Sequence, residues 1–108
     1  MIHELRMYHC LPGRLAALSK RFETQTLKIW KRLGIRPVGF WTVRVGPNNQ
    51  TLYYMLEWQD WAERERLWHT LGEDPEWLKV KAETEKDGPL IAHVENVLLA
   101  PTSYSNLK

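Results

Sequence analysis

The stretch that decides the fold is YYMLEWQDWAERERLWHTLGEDPEW, from Tyr53 to Trp77. It predicts a strand that ends at Trp58, followed by a helix whose N-cap is Asp60, because a carboxylate at that position can accept hydrogen bonds from the free amides of the first turn. Gly72 is a typical helix stop. Pro75 suits the first position of a second helix, where no amide donor is needed. The sequence therefore predicts one helical region broken in two.

The segments on either side supply the remaining elements of the fold. Alternating residues from Ile2 to Leu11 predict a strand, and apolar residues at helical spacing between Leu15 and Leu33 predict a helix that Gly34 closes. Two further strands are predicted at Pro37–Val45 and Leu90–Leu99. The order is β-α-β-β-α-β with the second helix broken in two. This is an α+β, ferredoxin-like arrangement with one antiparallel four-stranded sheet and helices on one side.

Composition narrows the class of protein. The chain has 108 residues and reads as one domain, residues 1–108. Its net charge is only +2 and the basic residues are dispersed, which argues against a nucleic-acid partner. No apolar run approaches the roughly 20 residues that span a bilayer, and no signal peptide is visible. The single cysteine, Cys10, excludes an internal disulfide and is expected to pack rather than react. We expect a cytoplasmic protein.

One face of the predicted sheet would be uncovered in a monomer. Its expected members are aromatic or apolar, namely Tyr8, Tyr54, Leu56, Trp58 and one of Phe40 or Trp41. Such a face is too apolar to leave in water, so we expect a two-fold homodimer in which two sheets meet face to face. Charged residues on that face need partners or water, which predicts a partly hollow, polar and aromatic centre.

Polar residues on the first and last strands suggest two interpretations. Arg6 and Tyr8 share a strand face, and His93 and Glu95 are expected to face them. Functionally, Arg6 would bind a carboxylate or enolate, His93 or Glu95 would move a proton, and Tyr8 would donate a hydrogen bond. Structurally, Arg6 and Glu95 would form a buried ion pair, which needs no substrate. The predicted lining of the cavity is Arg6, Tyr8, Trp41, Tyr54, Trp58, His93 and Glu95.

No metal or cofactor motif is recognisable. His3 and His9 share a strand face but would lie about 20 Å apart at strand rise, and His69 has no second ligand one helical turn away. His69 or His93 could formally serve as a haem ligand, although an ordinary hydrogen-bonded histidine is the simpler interpretation. Phosphate-binding loops, nucleophile elbows and H-E-x-x-H are lacking. We expect no cofactor and no metal.

Four patches resemble the NIPSNAP family, a member of the dimeric α+β barrel group. They are HELRMYHCLPG, VGFWTVRVGPNNQ, YYMLEWQDWAERERLWHTLGEDPEW and the ending LLAPTSYSNLK. The resemblance implies a ferredoxin-like fold that pairs as a dimeric α+β barrel. Tyr54 and Leu56 depart from the family, which often has His and Trp there. The chain also resembles a bare domain without the targeting region of mitochondrial members, which implies a bacterial-type representative.

The resemblance implies a fold more strongly than a reaction. Our leading interpretation is a homodimer whose central cavity binds a small apolar or aromatic molecule. One alternative is a cofactor-independent monooxygenase or isomerase, as found among distant members of the same barrel group. The other is a non-catalytic protein-interaction module with a filled barrel. Whether the protein is an enzyme stays open at this point.

Overall fold

Four antiparallel strands form one sheet in the computed structural model, which describes residues 1–108. They are β1 (Ile2–Cys10), β2 (Arg36–Thr42), β3 (Thr51–Trp58) and β4 (Ile91–Leu99), in the spatial order β2-β3-β1-β4. The α+β, ferredoxin-like prediction is confirmed. β2 ends at Thr42, before the predicted end at Val45, whose side chain is 95% exposed and packs against nothing.

The first helical region contains an irregular turn that the sequence pattern does not reveal. It consists of α1 (Leu15–Arg21), a π-helical turn (Phe22–Thr26) and α2 (Leu27–Leu33). In the π-turn, the amide of Leu27 donates to the carbonyl of Phe22, one residue further back than in an α-helix. Gly34 ends the region with a left-handed φ of 88°.

The broken second helical region is confirmed as α3 (Trp61–Glu73) and α4 (Pro75–Thr84). Asp60 caps α3 by accepting from the Glu63 amide at 2.8 Å. Asp74 caps α4 by accepting from the Trp77 amide at 2.9 Å. Gly72 lies inside α3, one residue before its end, rather than stopping the helix. No helix is both long and apolar enough to cross a membrane.

The predicted sheet faces are wrong. Tyr54, Leu56 and Trp58 are each 0% exposed and pack beneath the helices, as do Tyr8 and Phe40 in part. Strand side chains alternate, so an error of one residue exchanges the two faces. The side of the sheet away from the helices, here called the outer face, instead carries seven apolar side chains: Leu5, Met7, Trp41, Tyr53, Met55, Val97 and Leu99.

Candidate functional site

A cavity of about 260 Å³ lies between the sheet and the helices. All the helical elements contribute residues to its wall. The lining comes from β1 (Arg6 and Tyr8), from the irregular helical region (Arg21, Phe22, Thr26 and Trp30), from α3 (Trp68, Leu71 and Gly72) and from α4 (Trp77 and Lys81). Six of these eleven residues are hydrophobic, three are basic and none is acidic. The cavity is therefore suited to an apolar or aromatic body with a negative or electron-rich edge.

The π-turn forms one wall of this cavity. Phe22 and Thr26, at its two ends, both line the space. Thr26 Oγ1, Trp30 Nε1 and Arg21 Nε are buried and have no hydrogen-bond partner. Most buried polar groups are paired, and an unpaired one costs free energy. Three such groups on one wall, beside a type of turn that is common at functional sites, distinguish this wall from the rest of the core.

Arg6 is held rigidly on the sheet side of the cavity. Its Nε donates to the Tyr54 hydroxyl at 2.8 Å, and its Nη1 donates to Glu4 at 2.9 Å. Its guanidinium also lies 4.5 Å from the centre of the Trp68 ring, in cation–π contact. The predicted ion pair between Arg6 and Glu95 is wrong, because the acidic partner is Glu4.

Glu4, which sequence reasoning missed, anchors this arrangement. Its carboxylate is fully buried and accepts hydrogen bonds from Arg6, Arg64, Asn96 and the Trp58 indole. Burial alone would raise its pKa, but the hydrogen bonds from Arg64 and Asn96, together with the charge of Arg6, lower the pKa to about 2. The Glu4 carboxylate is thus fully hydrogen-bonded and has a structural role rather than the role of a proton acceptor.

Tyr54 stays protonated in its position behind the cavity. Burial, reinforced by the neighbouring Tyr8, raises its pKa well above the usual value, and Arg6 offsets this only in part. The Tyr8 and Tyr54 rings meet edge to face at 5.1 Å. Tyr8 therefore lines the cavity with an aromatic ring that Tyr54 supports from behind.

A second guanidinium lies on the opposite wall. Arg21 Nη1 donates to Glu85 at 3.1 Å and to Thr84 at 3.3 Å, and its guanidinium lies 5.1 Å from the Trp77 ring centre. As a charged residue of the first helix, Arg21 is expected on a solvated face, but it is only 4% exposed. It lies three residues after the buried Leu18, so helical spacing places both on the covered side of α1.

The cavity is predicted at the centre of a dimer, between two paired sheets, whereas the cavity in the structure lies between the sheet and its own helices. The predicted lining residues therefore divide between the two faces of the sheet. Arg6 and Tyr8 line the cavity, while Tyr54 and Trp58 lie directly behind it, in contact with Arg6 and Glu4. The other three predicted residues, Trp41, His93 and Glu95, lie on the outer face. The expectation that His93 and Glu95 face Arg6 is wrong, because the register pairs His93 with His9 and Glu95 with Met7.

Three tryptophans of the helices form a further part of the cavity wall. Helical spacing predicts that Trp68 and Trp77 are core residues, and Trp30, near the end of the first helical region, could be either core or a lid. All three line the cavity. Trp30 and Trp68 approach with ring centres 6.3 Å apart. Helical spacing identifies such residues as inward-facing, but it cannot distinguish a filled interior from one with a void.

Comparisons with known proteins agree with this architecture. A NIPSNAP family protein of unknown function from Agrobacterium tumefaciens superposes with a TM-score of 0.86 at 28% identity, covering 100% of this chain and 94% of that one. An uncharacterized NIPSNAP-like domain protein from Burkholderia xenovorans gives 0.85 at 26% identity, covering 96% and 87%. An antibiotic biosynthesis monooxygenase gives 0.61 at 8% identity, covering 94% and 99%, which is a likeness of fold alone.

Comparison with curated proteins gives no significant match. The model of the NIPSNAP family matches residues 3–106, which is nearly the whole chain and includes the first three patches that carry the resemblance in sequence and all but the last two residues of the fourth. The chain therefore belongs to the NIPSNAP family.

Proposed function

We propose that this protein is a homodimer that binds a small aromatic molecule with an acidic group in the cavity between sheet and helices. The observation that carries the proposal is the lining itself. Aromatic rings surround the space, three basic side chains reach it, and no carboxylate lines it. Ligand sites in proteins share this pattern of an apolar pocket with a few convergent polar groups.

The cavity volume sets the size of the ligand. About 260 Å³ is just below the range of roughly 300–1,000 Å³ for small-molecule sites. It suits a molecule of one or two fused rings. Trp68 and Trp77 offer ring faces and edges against which such a molecule can stack.

The basic residues favour an acidic substituent. Arg6 is already neutralised by Glu4, whereas Lys81 makes no ion pair and lies at the rim of the cavity. A carboxylate or a phenolate-like oxygen supplies the negative charge that these basic residues favour.

A size-matched pair of probes tests the proposal. Isothermal titration calorimetry is carried out with 2-naphthoate and with the neutral 2-naphthalenemethanol. We expect 2-naphthoate to bind at least about tenfold more tightly, because it alone carries a charge for the basic residues. Equal affinity for the two probes would contradict the acidic part of the proposal.

Gly72 provides the matched variants. It lies at the cavity mouth in a regular helical conformation, and a Cβ added there meets nothing within 4 Å. Gly72→Trp should obstruct the cavity and abolish binding of 2-naphthoate, whereas Gly72→Ala should leave binding intact. Undiminished binding by a folded Gly72→Trp variant would place the ligand elsewhere and overturn the proposal.

The proposed dimer rests on the outer face of the sheet. Leu5, Met7 and Met55 lie at its centre without cover from any helix, and Trp41 and Val97 lie at its edges, 51% and 46% exposed. A continuous apolar face of this kind is typical of an interface. A second copy is the natural occupant, since a two-fold axis that lies between the two sheets and parallel to them places apolar centre against apolar centre.

Sedimentation velocity tests the dimer. We expect Val97→Lys combined with Leu99→Lys to weaken dimerisation at least about tenfold, because each lysine would be desolvated at the interface. Leu78→Lys is the control, since Leu78 is equally exposed, at 50%, but lies on α4 away from the outer face. Dissociation by the control variant alone would move the interface to the helical side.

The two alternative functions find less support in the geometry. A monooxygenase or isomerase that moves protons needs a base, and the cavity lining contains no His, Asp or Glu. His93 and Glu95, the residues expected to fill that role, lie on the outer face. An interaction module predicts a filled barrel with no ligand-sized void. The cavity of about 260 Å³ favours ligand binding over that alternative, and it lies between the sheet and its helices rather than between two paired sheets.

A further inference from the structure

We propose that His9, His93 and Glu95 form a binding site for a divalent transition-metal ion of the zinc type, on the outer face of the sheet. One ligand atom from each residue lies within 4.8 Å of the other two. The proposal does not rest on the function proposed above, because these side chains lie on the opposite side of the sheet from the cavity.

Strand register brings the three residues together. β1 and β4 pair antiparallel, with His9 opposite His93, and Glu95 is two residues further along β4 on the same face. The two imidazoles stack with centres 4.3 Å apart. The ladder is irregular between His9 and Cys10, and such bulges commonly redirect side chains near functional sites.

The orientation of His9 favours metal binding. Its Nδ1 lies 2.9 Å from Oγ1 of Thr51, which is 1% exposed and therefore fixed. Without a metal, Nε2 of His9 lies 2.6 Å from Oε1 of Glu95, a carboxylate oxygen that can only accept, so a neutral His9 donates to Glu95 and accepts from the Thr51 hydroxyl. Metal binding at Nε2 would select the other tautomer, in which Nδ1 donates to Oγ1 of Thr51, a support that metal sites regularly use.

The distances allow coordination after a small movement. Tetrahedral zinc bound at 2.0–2.1 Å holds its ligand atoms about 3.3 Å from one another. His93 and Glu95 lie on the edge strand β4 and are exposed in the single chain, so their side chains can move by the ångström or so that this requires before the proposed dimer forms. Two imidazoles and one carboxylate leave a fourth position open, which is the pattern of exchangeable or catalytic sites rather than of closed structural ones.

Sequence inspection does not find this site because His9 and Glu95 are 86 residues apart. Metal-binding motifs are usually recognised from ligands a few residues apart within one element. Here the pairing of two strands brings the ligands together. The competing explanation is that His9 and Glu95 form only a hydrogen-bonded pair that fixes β4 to β1. That explanation predicts no added affinity for a metal.

Metal titration separates the two explanations. Chelator-stripped protein is titrated with ZnSO₄ by calorimetry and with CoCl₂ by visible absorbance, which reports the coordination geometry. Zinc is also added during refolding from urea, so that access through the proposed dimer interface does not limit loading. We expect one ion per chain, and a loss of affinity of at least about tenfold in both His93→Ala and Glu95→Gln.

Two further variants sharpen the test. Thr51→Val should weaken zinc binding about tenfold while it leaves all three ligands in place. His69→Ala is the matched control, because His69 and Glu73 form another exposed His–Glu pair, at 3.3 Å, without a third ligand. If wild type binds zinc no more tightly than the His93→Ala, Glu95→Gln double variant, the proposal is overturned.

Discussion

Glu4 and Arg64 form a two-pronged ion pair in the interior of the protein. Arg64 Nε donates to one carboxylate oxygen at 3.1 Å, and Nη2 donates to the other at 3.0 Å. The pair joins the central strand β1 to α3 over a sequence separation of 60 residues. Because Arg6 and Asn96 bind the same carboxylate, the position of α3 and the orientation of the cavity's arginine are coupled through one side chain.

Replacement of Glu4 by Gln should therefore destabilise the fold. The variant would leave two guanidinium groups, of Arg6 and Arg64, around a neutral amide in a buried site. We expect the free energy of unfolding in urea to fall by about 3–5 kcal/mol. Glu65→Gln is the control, because Glu65 also accepts from Arg64, at 2.7 Å, but is 52% exposed. Glu65→Gln should lower the free energy of unfolding by less than about 1 kcal/mol. An equal loss of stability in the two variants would contradict a special role for Glu4.

The protonation of Glu4 should be visible in the pH dependence of the free energy of unfolding. Its pKa falls from 4.5 to about 2 on folding, so its charged form stabilises the protein above pH 4.5, and this contribution is lost as the pH falls towards 2. A shift of this size corresponds to about 3 kcal/mol. Other carboxylates titrate in the same range, so the measurement compares wild type with Glu4→Gln. The difference in unfolding free energy should shrink from pH 5 to pH 2, and a constant difference would argue against the lowered pKa.

Thr26→Val should stabilise the protein. The Thr26 hydroxyl is buried without a partner, and a methyl group of the same shape removes that penalty. We expect a gain of about 1 kcal/mol in the free energy of unfolding, measured by chemical denaturation. Thr24→Val is the control in the same π-turn, because the Thr24 hydroxyl is exposed and donates to the Lys20 carbonyl at 2.7 Å. A loss of stability in Thr26→Val would mean that the hydroxyl has a partner.

Lys81→Met should reduce affinity for the acidic probe alone. Lys81 lines the cavity rim, and an exposed charge of this kind contributes up to about 1 kcal/mol, which corresponds to about two- to fivefold in the dissociation constant of 2-naphthoate. Binding of 2-naphthalenemethanol should not change. Lys79→Met, on the same helix but outside the lining, should alter neither. An equal loss of affinity for 2-naphthoate in the Lys79 variant would indicate a long-range effect of positive charge rather than a local contact with Lys81.

Local sequence signals were sufficient to predict the order of the elements. Asp60, Asp74 and Pro75 predict helix starts because caps and first-turn prolines act within a few residues. The family resemblance likewise depends on contiguous stretches. These features need no knowledge of what the rest of the chain does.

The sheet faces could not be predicted in the same way. Along β1, the charged residues Glu4 and Arg6 point inward and the apolar residues Leu5 and Met7 point outward, which reverses the usual pattern. The reversal is tolerated because Arg64 and Asn96, far away in sequence, satisfy the buried charges. The cluster of His9, His93 and Glu95 was missed for the same reason, since it depends on strand pairing.

The π-turn has a consequence for how this helix compares with those of related proteins. It inserts one residue into the helical repeat, so every side chain from Leu27 onward is displaced by about 100° around the axis relative to a regular helix. A relative that lacks the turn would match this chain on both sides only across a gap of one position. A gap of one position in this helix would therefore distinguish relatives that lack the π-turn from relatives that share it as a wall of the cavity.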